Sequence, residues 1–159
     1  MFKSHPSLLK TWRLAGLAAC AMSLVASAQP SRAAELITEA EAKLPTMKGA
    51  IASTSRGITR GPRIELVAAA PDGTVHSPIR LQLKFQSYGG AKIDPSAVQV
   101  TYLKTPAVDL TSRVKPYTQE SGIDMPDAVL PPGEHPLRVD VKDSDGRTAT
   151  TNFVLKVAQ

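Results

Sequence analysis

The sequence predicts an all-β fold, an antiparallel β-sandwich of about seven short strands. Three observations predict it. From Pro62 onward polar and apolar residues alternate with a period of two, as in strands with one buried and one wet face. Clusters of Gly, Pro and Asp interrupt that alternation roughly every 8–12 residues, the spacing of a sandwich or small barrel. No segment beyond residue 61 carries a sustained helical pattern, and the chain's 13 prolines suit loops and sheet edges better than long helices.

The first 28 residues stand apart and read as a secretory signal peptide. Lys3, Lys10 and Arg13 form a positive leader, Leu14 to Val25 an apolar run, and Ala26-Ser27-Ala28 the small-x-small pattern at which such leaders are cut. The apolar run, about 12 residues, is well short of the roughly 20 that cross a bilayer as a helix. Ser31-Arg32-Ala33 offers a second cleavage position. Leu17-Ala18-Ala19-Cys20 resembles the pattern that precedes a lipid-modified cysteine. Few apolar residues precede Cys20 and the chain stays apolar after it, so cleavage near Ala28 is the preferred reading. Membrane contact is expected only through this leader or a lipidated Cys20. The expected location is the periplasm or the exterior of a bacterial cell.

Removing the leader changes the charge. The whole chain carries +5 from 19 Lys and Arg against 14 Asp and Glu. Three of the cations and none of the acids lie in the leader, leaving 16 against 14, a net of about +2. A nucleic-acid partner normally asks for a clustered basic face, and none is expected here. Cys20 is the chain's one cysteine, so the processed domain is expected to fold without a disulfide.

Residues 29–61 are expected to form a tether. Ala33 to Lys43 is rich in Ala and Glu, and Leu36, Ile37, Ala40 and Leu44 share a stripe at helical spacing, so a short helix over 33–44 is the one element foreseen there. Pro45 ends it. Lys48 to Gly61 is small, polar and unpatterned. A helix docked on the domain is the alternative.

Residues 62–159 carry the sandwich. Arg63 to Val67 alternates as a strand, and Pro71-Asp72-Gly73 turns the chain. Ile79 to Phe85 is the clearest strand, with Ile79, Leu81, Leu83 and Phe85 on one face and Arg80, Gln82 and Lys84 on the other. Ala97 to Leu103 follows, then Val108 to Val114 as an edge strand. Ile123 to Leu130 contains Pro126, so only its second half is expected to pair normally. Pro131-Pro132-Gly133 is a rigid turn, Leu137 to Lys142 alternates again, and Asp143-Ser144-Asp145-Gly146 leads into Thr148 to Val157. The expected core is Ile64, Leu66, Ile79, Leu81, Leu83, Phe85, Val98, Val100, Leu130, Leu137, Val139, Val141, Phe153, Leu155 and Val157.

Leu130-Pro-Pro-Gly-Glu-His-Pro and the following strand, Asp-Gly turn and Thr-rich last strand resemble the closing hairpin of bacterial immunoglobulin-like domains. Pro71-Asp-Gly-Thr-Val75 with Pro78 is similar to their opening. The likeness covers roughly residues 62–157, and its turn motifs imply an immunoglobulin-like sandwich rather than a particular activity. His76 to Phe85 and Leu130 to Val157 are also similar to the exported β-sandwiches that carry copper. That group binds copper through a histidine at the mature N-terminus and an Asp-x-His in the last hairpin. This hairpin reads Asp143-Ser144-Asp145-Gly146 and has no histidine.

Chemistry-bearing residues are few. His76 and His135 could meet if their loops share one end of the sandwich, and both are expected as exposed loop residues. Asp143 and Asp145 place two carboxylates in one turn, which invites calcium, but no further oxygen ligands follow, so a hairpin turn is the simpler reading. Tyr88, Tyr102, Tyr117 and Phe85 could form a sugar-stacking patch. With aromatics at 4% of the chain, core and edge roles are preferred. No nucleophile set, phosphate loop or paired-carboxylate pocket is visible. The expectation is a non-enzymatic module without a cofactor, which binds or spaces a protein or glycan partner in the cell envelope. A carrier of a metal or small ligand using His76, His135, Asp143 and Asp145 is the alternative.

Overall fold

A computed structural model describes residues 33–50, 61–67 and 74–159. The expected leader with Cys20 and the turn at Pro71-Asp72-Gly73 lie outside the described residues. The elements run β1 (Ala34–Glu35), α1 (Glu39–Ala42), β2 (Arg63–Leu66), β3 (Thr74–Val75), β4 (Ile79–Gln86), β5 (Gln99–Tyr102), β6 (Val108–Asp109), α2 (Thr111–Val114), β7 (Thr118–Gln119), β8 (Gly122–Val129), β9 (Gly133–Lys142) and β10 (Thr148–Val157). They build two sheets. One has the order β1-β8-β4-β2 with β7 also on β8, and the other the order β3-β10-β9-β5-β6.

The protein is thus an all-β sandwich, and each of the seven strands read from the alternation has its counterpart. Three two-residue strands, β1, β3 and β7, join them. The long pairings are antiparallel, while β1 on β8 and β3 on β10 are parallel. Alternation does what the pattern requires. Ile79, Leu81, Leu83 and Phe85 of β4 are buried, as are Leu137, Val139 and Val141 of β9 and Leu155 and Val157 of β10. Leu66 and Phe153, expected in the core, pack only partly buried against it.

Three expectations are corrected. The first concerns the tether, because the described part of 29–61 is docked. Ala34 and Glu35 pair with Ala128 and Val129, and the amides of Leu36 and Ile37 both donate to the Val129 carbonyl, at 3.0 and 3.4 Å. Leu36 and Ile37 are 0% and 1% exposed, core residues rather than a helix stripe. The helix foreseen over 33–44 shrinks to one turn, begun by a capping box in which Glu41 N–H donates to Thr38 Oγ1 and Thr38 N–H to Glu41 Oε2. The chain then crosses to the second sheet. Thr105 N–H donates to the Pro45 carbonyl, Met47 N–H to Leu103, and Asn152 Nδ2 to Ala50. Residues 33–50 form a strap that holds both sheets.

The second correction is Val108 to Val114. Only Val108–Asp109 pairs, and the chain then coils into α2. Leu110 and Val114, four apart, are both buried. That spacing satisfies a helical turn as well as strand alternation.

The third is Pro126. The half of β8 before it pairs in register with β4, Ile123 opposite Leu83 and Met125 opposite Leu81. The register then slips by one residue before Ala128 meets Ile79. Pro126 sits in that bulge, where its missing N–H costs no ladder bond, and pairing resumes beyond it.

Candidate functional site

Among the residues singled out from the sequence, His135 departs most from expectation. It is not an exposed loop residue. It lies on β9 opposite Leu155, on the core-facing side, and is 1% exposed. The alternation His135, Leu137, Val139, Val141 turns it inward. Its Nε2 lies 2.7 Å from the Pro131 carbonyl, which can only accept, so Nε2 carries the proton. Nδ1 is then the acceptor, and the Tyr102 hydroxyl donates to it at 2.9 Å. Burial holds the imidazole below its ordinary pKa. The Pro131 hydrogen bond opposes that shift and the nearby charge of Lys104 adds to it. Burial also pushes the Tyr102 phenol up to about 12, with the negative charge of Glu41 contributing.

Tyr102 is itself 0% exposed and continues the inward row Val98, Val100, Tyr102. The Lys104 ammonium lies 5.2 Å from its ring centroid and donates to the Ala42 carbonyl at 3.1 Å and to Thr46 Oγ1 at 3.3 Å. A cation on an aromatic face with two hydrogen bonds is a satisfied buried charge. Beside it, Arg113 Nη1 donates to Glu41 Oε2 and to the Leu36 carbonyl, both at 2.8 Å, and Nη2 to Glu41 Oε1 at 2.7 Å. That grip holds the Glu41 carboxyl at about 2. The cluster ties the strap to the sandwich. It escaped the sequence reading, although Thr38-x-x-Glu41 was a visible capping box.

The remaining candidates are placed apart. His76 is exposed just after β3, and the Leu130 amide donates to the neighbouring Ser77 Oγ at 3.1 Å, so both histidines do belong to one end of the sandwich. Both ring nitrogens of His135 are already engaged, however. Asp143 and Asp145 close the opposite end of β9, eight residues from His135, roughly 25 Å along an extended strand.

Asp143 is 3% exposed and is a turn-builder. Its Oδ1 accepts from the amides of Asp145 at 3.1 Å and Arg147 at 2.8 Å, and its Oδ2 from Arg147 Nε at 3.0 Å. Gly146, with φ +80°, completes the turn. Asp145 is exposed and pairs with Arg147. Among the described residues no three His, Cys, Asp or Glu side chains gather as a metal site would need. The four aromatic residues do not form a surface patch either. Tyr102 and Phe85 are buried, Tyr117 packs on the core, and Tyr88 is exposed.

The outer face of the first sheet carries a different arrangement. An open hollow of about 360 Å³ lies over β4, β7 and β8, lined by Gln82, Lys84, Gln86, Gln119, Ser121 and Asp124. Its floor is Gly122, which pairs with Lys84 on one side and Gln119 on the other. Gly122 has φ +150°, and a Cβ there would stand 1.9 Å from the Leu83 carbonyl oxygen. A side chain is therefore missing from the row because none can fit. Asp124 is committed to Arg80, which grips it through Nε at 2.8 Å and Nη2 at 2.6 Å. The chain matches no protein-family model and no curated protein.

Proposed function

We propose that the protein is a non-enzymatic, exported immunoglobulin-like module that binds or spaces a protein or glycan partner in the cell envelope. The observation that carries this reading is how the polar chemistry is spent. His135, Tyr102, Lys104, Glu41, Arg113 and Asp143 all satisfy one another or the backbone inside the fold. Polar groups used in this way rigidify a scaffold. What such a scaffold presents to a partner is its outer faces and loops. The turn motifs around Leu130 to Gly133 and Asp143 to Gly146 support the immunoglobulin-like assignment, and the leader supports export.

Photo-crosslinking in the envelope tests the reading. A photoreactive residue at exposed Gln86 covers the outer face of the first sheet, and one at exposed Gln99 covers the second. An adduct with an envelope macromolecule at either position is expected. Recovery of the uncrosslinked protein alone from both would overturn the module. Native mass spectrometry with copper, zinc and calcium checks the carrier alternative, which needs a stoichiometric mass shift.

A further inference from the structure

We infer that the hollow over Gly122 is a binding site for a carboxylate-bearing saccharide. The inference rests on the module reading and narrows its partner.

The hollow is built into the sheet. Across the outer face, one row runs Glu65, Lys84, Gly122, Gln119 on neighbouring strands β2, β4, β8 and β7. The third place is empty because the backbone there tolerates glycine alone. The gap lets a ligand approach the sheet between Lys84 and Gln119. Both residues stand on paired strands, so the ladder rather than a loop fixes where their side chains leave the sheet.

The lining states the chemistry. Among the described residues, the side chains of Gln82, Lys84 and Gln119 make no hydrogen bond or ion pair with the protein. A primary amide offers two donors and an acceptor on one plane, which suits the vicinal hydroxyls of a sugar. The charges around the hollow are otherwise neutralised. Asp124 is held by Arg80, and Glu65 lies 3.0 Å from Arg63 and accepts from Gln86 at 3.5 Å. Lys84 is the uncommitted charge of the lining, and a compact ammonium of this kind pairs with a carboxylate.

A peptide fits less well. Strand addition needs unpaired main-chain groups, and at the hollow both strands are paired on both sides, Leu83 and Lys84 with β2 and β8, Gly122 and Ile123 with β4 and β7. The hollow therefore presents side chains to its ligand.

The test is a titration of the processed chain, followed through backbone amide shifts by NMR. Three probes are compared: a short oligogalacturonate, a neutral glucose oligomer of equal length, and tetraglutamate. The oligogalacturonate is expected to shift amides of residues 82–86 and 119–124, with a dissociation constant of roughly a millimolar or below. Lys84→Gln should weaken it about two- to fivefold, the upper range of a solvent-exposed charge pair. Gln119→Ala should weaken it by a smaller factor. Both side chains lie outside the core, and an unchanged amide spectrum elsewhere shows that each variant is folded.

Absence of shifts at tens of millimolar would overturn the site. Equal response to the neutral oligomer would overturn the carboxylate, and a stronger response to tetraglutamate would transfer the hollow to acidic peptides. A silent titration alongside an envelope adduct at Gln99 removes the saccharide and leaves the module standing. Silence in both experiments removes both.

Discussion

Arg113 grips Glu41 in a two-pronged ion pair across 72 positions of sequence, with both nitrogen–oxygen distances under 3 Å. The same guanidinium holds the Leu36 carbonyl. One side chain on α2 therefore fixes the strand end, the capping box and the only turn of α1. A short helix of this kind has no stability of its own and depends on such tertiary contacts.

Arg113→Ala should therefore act on the whole strap. It leaves a carboxylate without its main partner and a carbonyl without a donor, in a site only 18% exposed at Glu41. The expected loss is about 1–3 kcal/mol, read by urea unfolding. Protease cleavage within 33–50 should rise in parallel. A loss under about 0.5 kcal/mol would mean that the strap is not held by this pair.

The same pair sets an acid limb. Glu41 titrates at about 2 in the fold against an ordinary 4.5, chiefly because Arg113 donates to its charged form. The unfolded chain binds the proton first, so the stabilisation is complete above pH 4.5 and drains away as the pH falls toward 2. Asp94, Asp109 and Asp124 are also shifted down, by hydrogen bonds from Ser96, Thr111 and Arg80, and share that limb. The informative quantity is the difference between the wild type and Glu41→Gln. That difference should shrink between pH 5 and pH 2.

His135 gives a second pH dependence at higher pH. Burial lowers its pKa from 6.5, so the unfolded chain takes the proton while the fold resists it. Stability should be full above 6.5 and fall as the pH drops through that value toward the lowered one. Protonation would put a hydrogen on Nδ1, against the donating Tyr102 hydroxyl, and a charge near Lys104. His135→Gln should be less stable at pH 8, because the two ring contacts are lost, and should flatten the slope between pH 7 and 5. An unchanged slope in the variant would assign the dependence to another group.

The sandwich was legible because its strands alternate so regularly that Leu81, Leu83 and Val139 could face only one way. The strap was not. Leu36 and Ile37 are adjacent residues that are both buried, and no single period places neighbours on one face. Their burial depends on Val129 of β8, more than 90 positions away. Val108 to Val114 was misread because Leu110 and Val114 fit both periods. His135 is legible in principle, two residues before Leu137 on the same face, but the Pro-Pro-Gly before it and Pro136 after it give the stretch the composition of a turn. The hollow was hidden for another reason. A glycine in a strand reads as a break, and its role as a gap between Lys84 and Gln119 emerges only when three strands are aligned.

Gly122 makes the last prediction, best argued against Gly146. Both have positive φ, +150° and +80°. At Gly146 nothing stands within 4 Å of an added Cβ, so Gly146→Ala meets only backbone strain, about 1–2 kcal/mol. At Gly122 the added carbon meets the Leu83 carbonyl oxygen at 1.9 Å. That oxygen belongs to β4, which is paired on both sides, so neither strand can move without unpairing the sheet. Gly122→Ala should cost roughly 4 kcal/mol or more, enough to threaten a domain whose total stability is on the order of 5–15 kcal/mol. Thermal unfolding of the two variants side by side separates the cases: a modest drop at Gly146 and loss of a cooperative transition at Gly122. Equal, small effects would show that β4 and β8 do not approach as closely as the Leu83–Gly122 geometry requires.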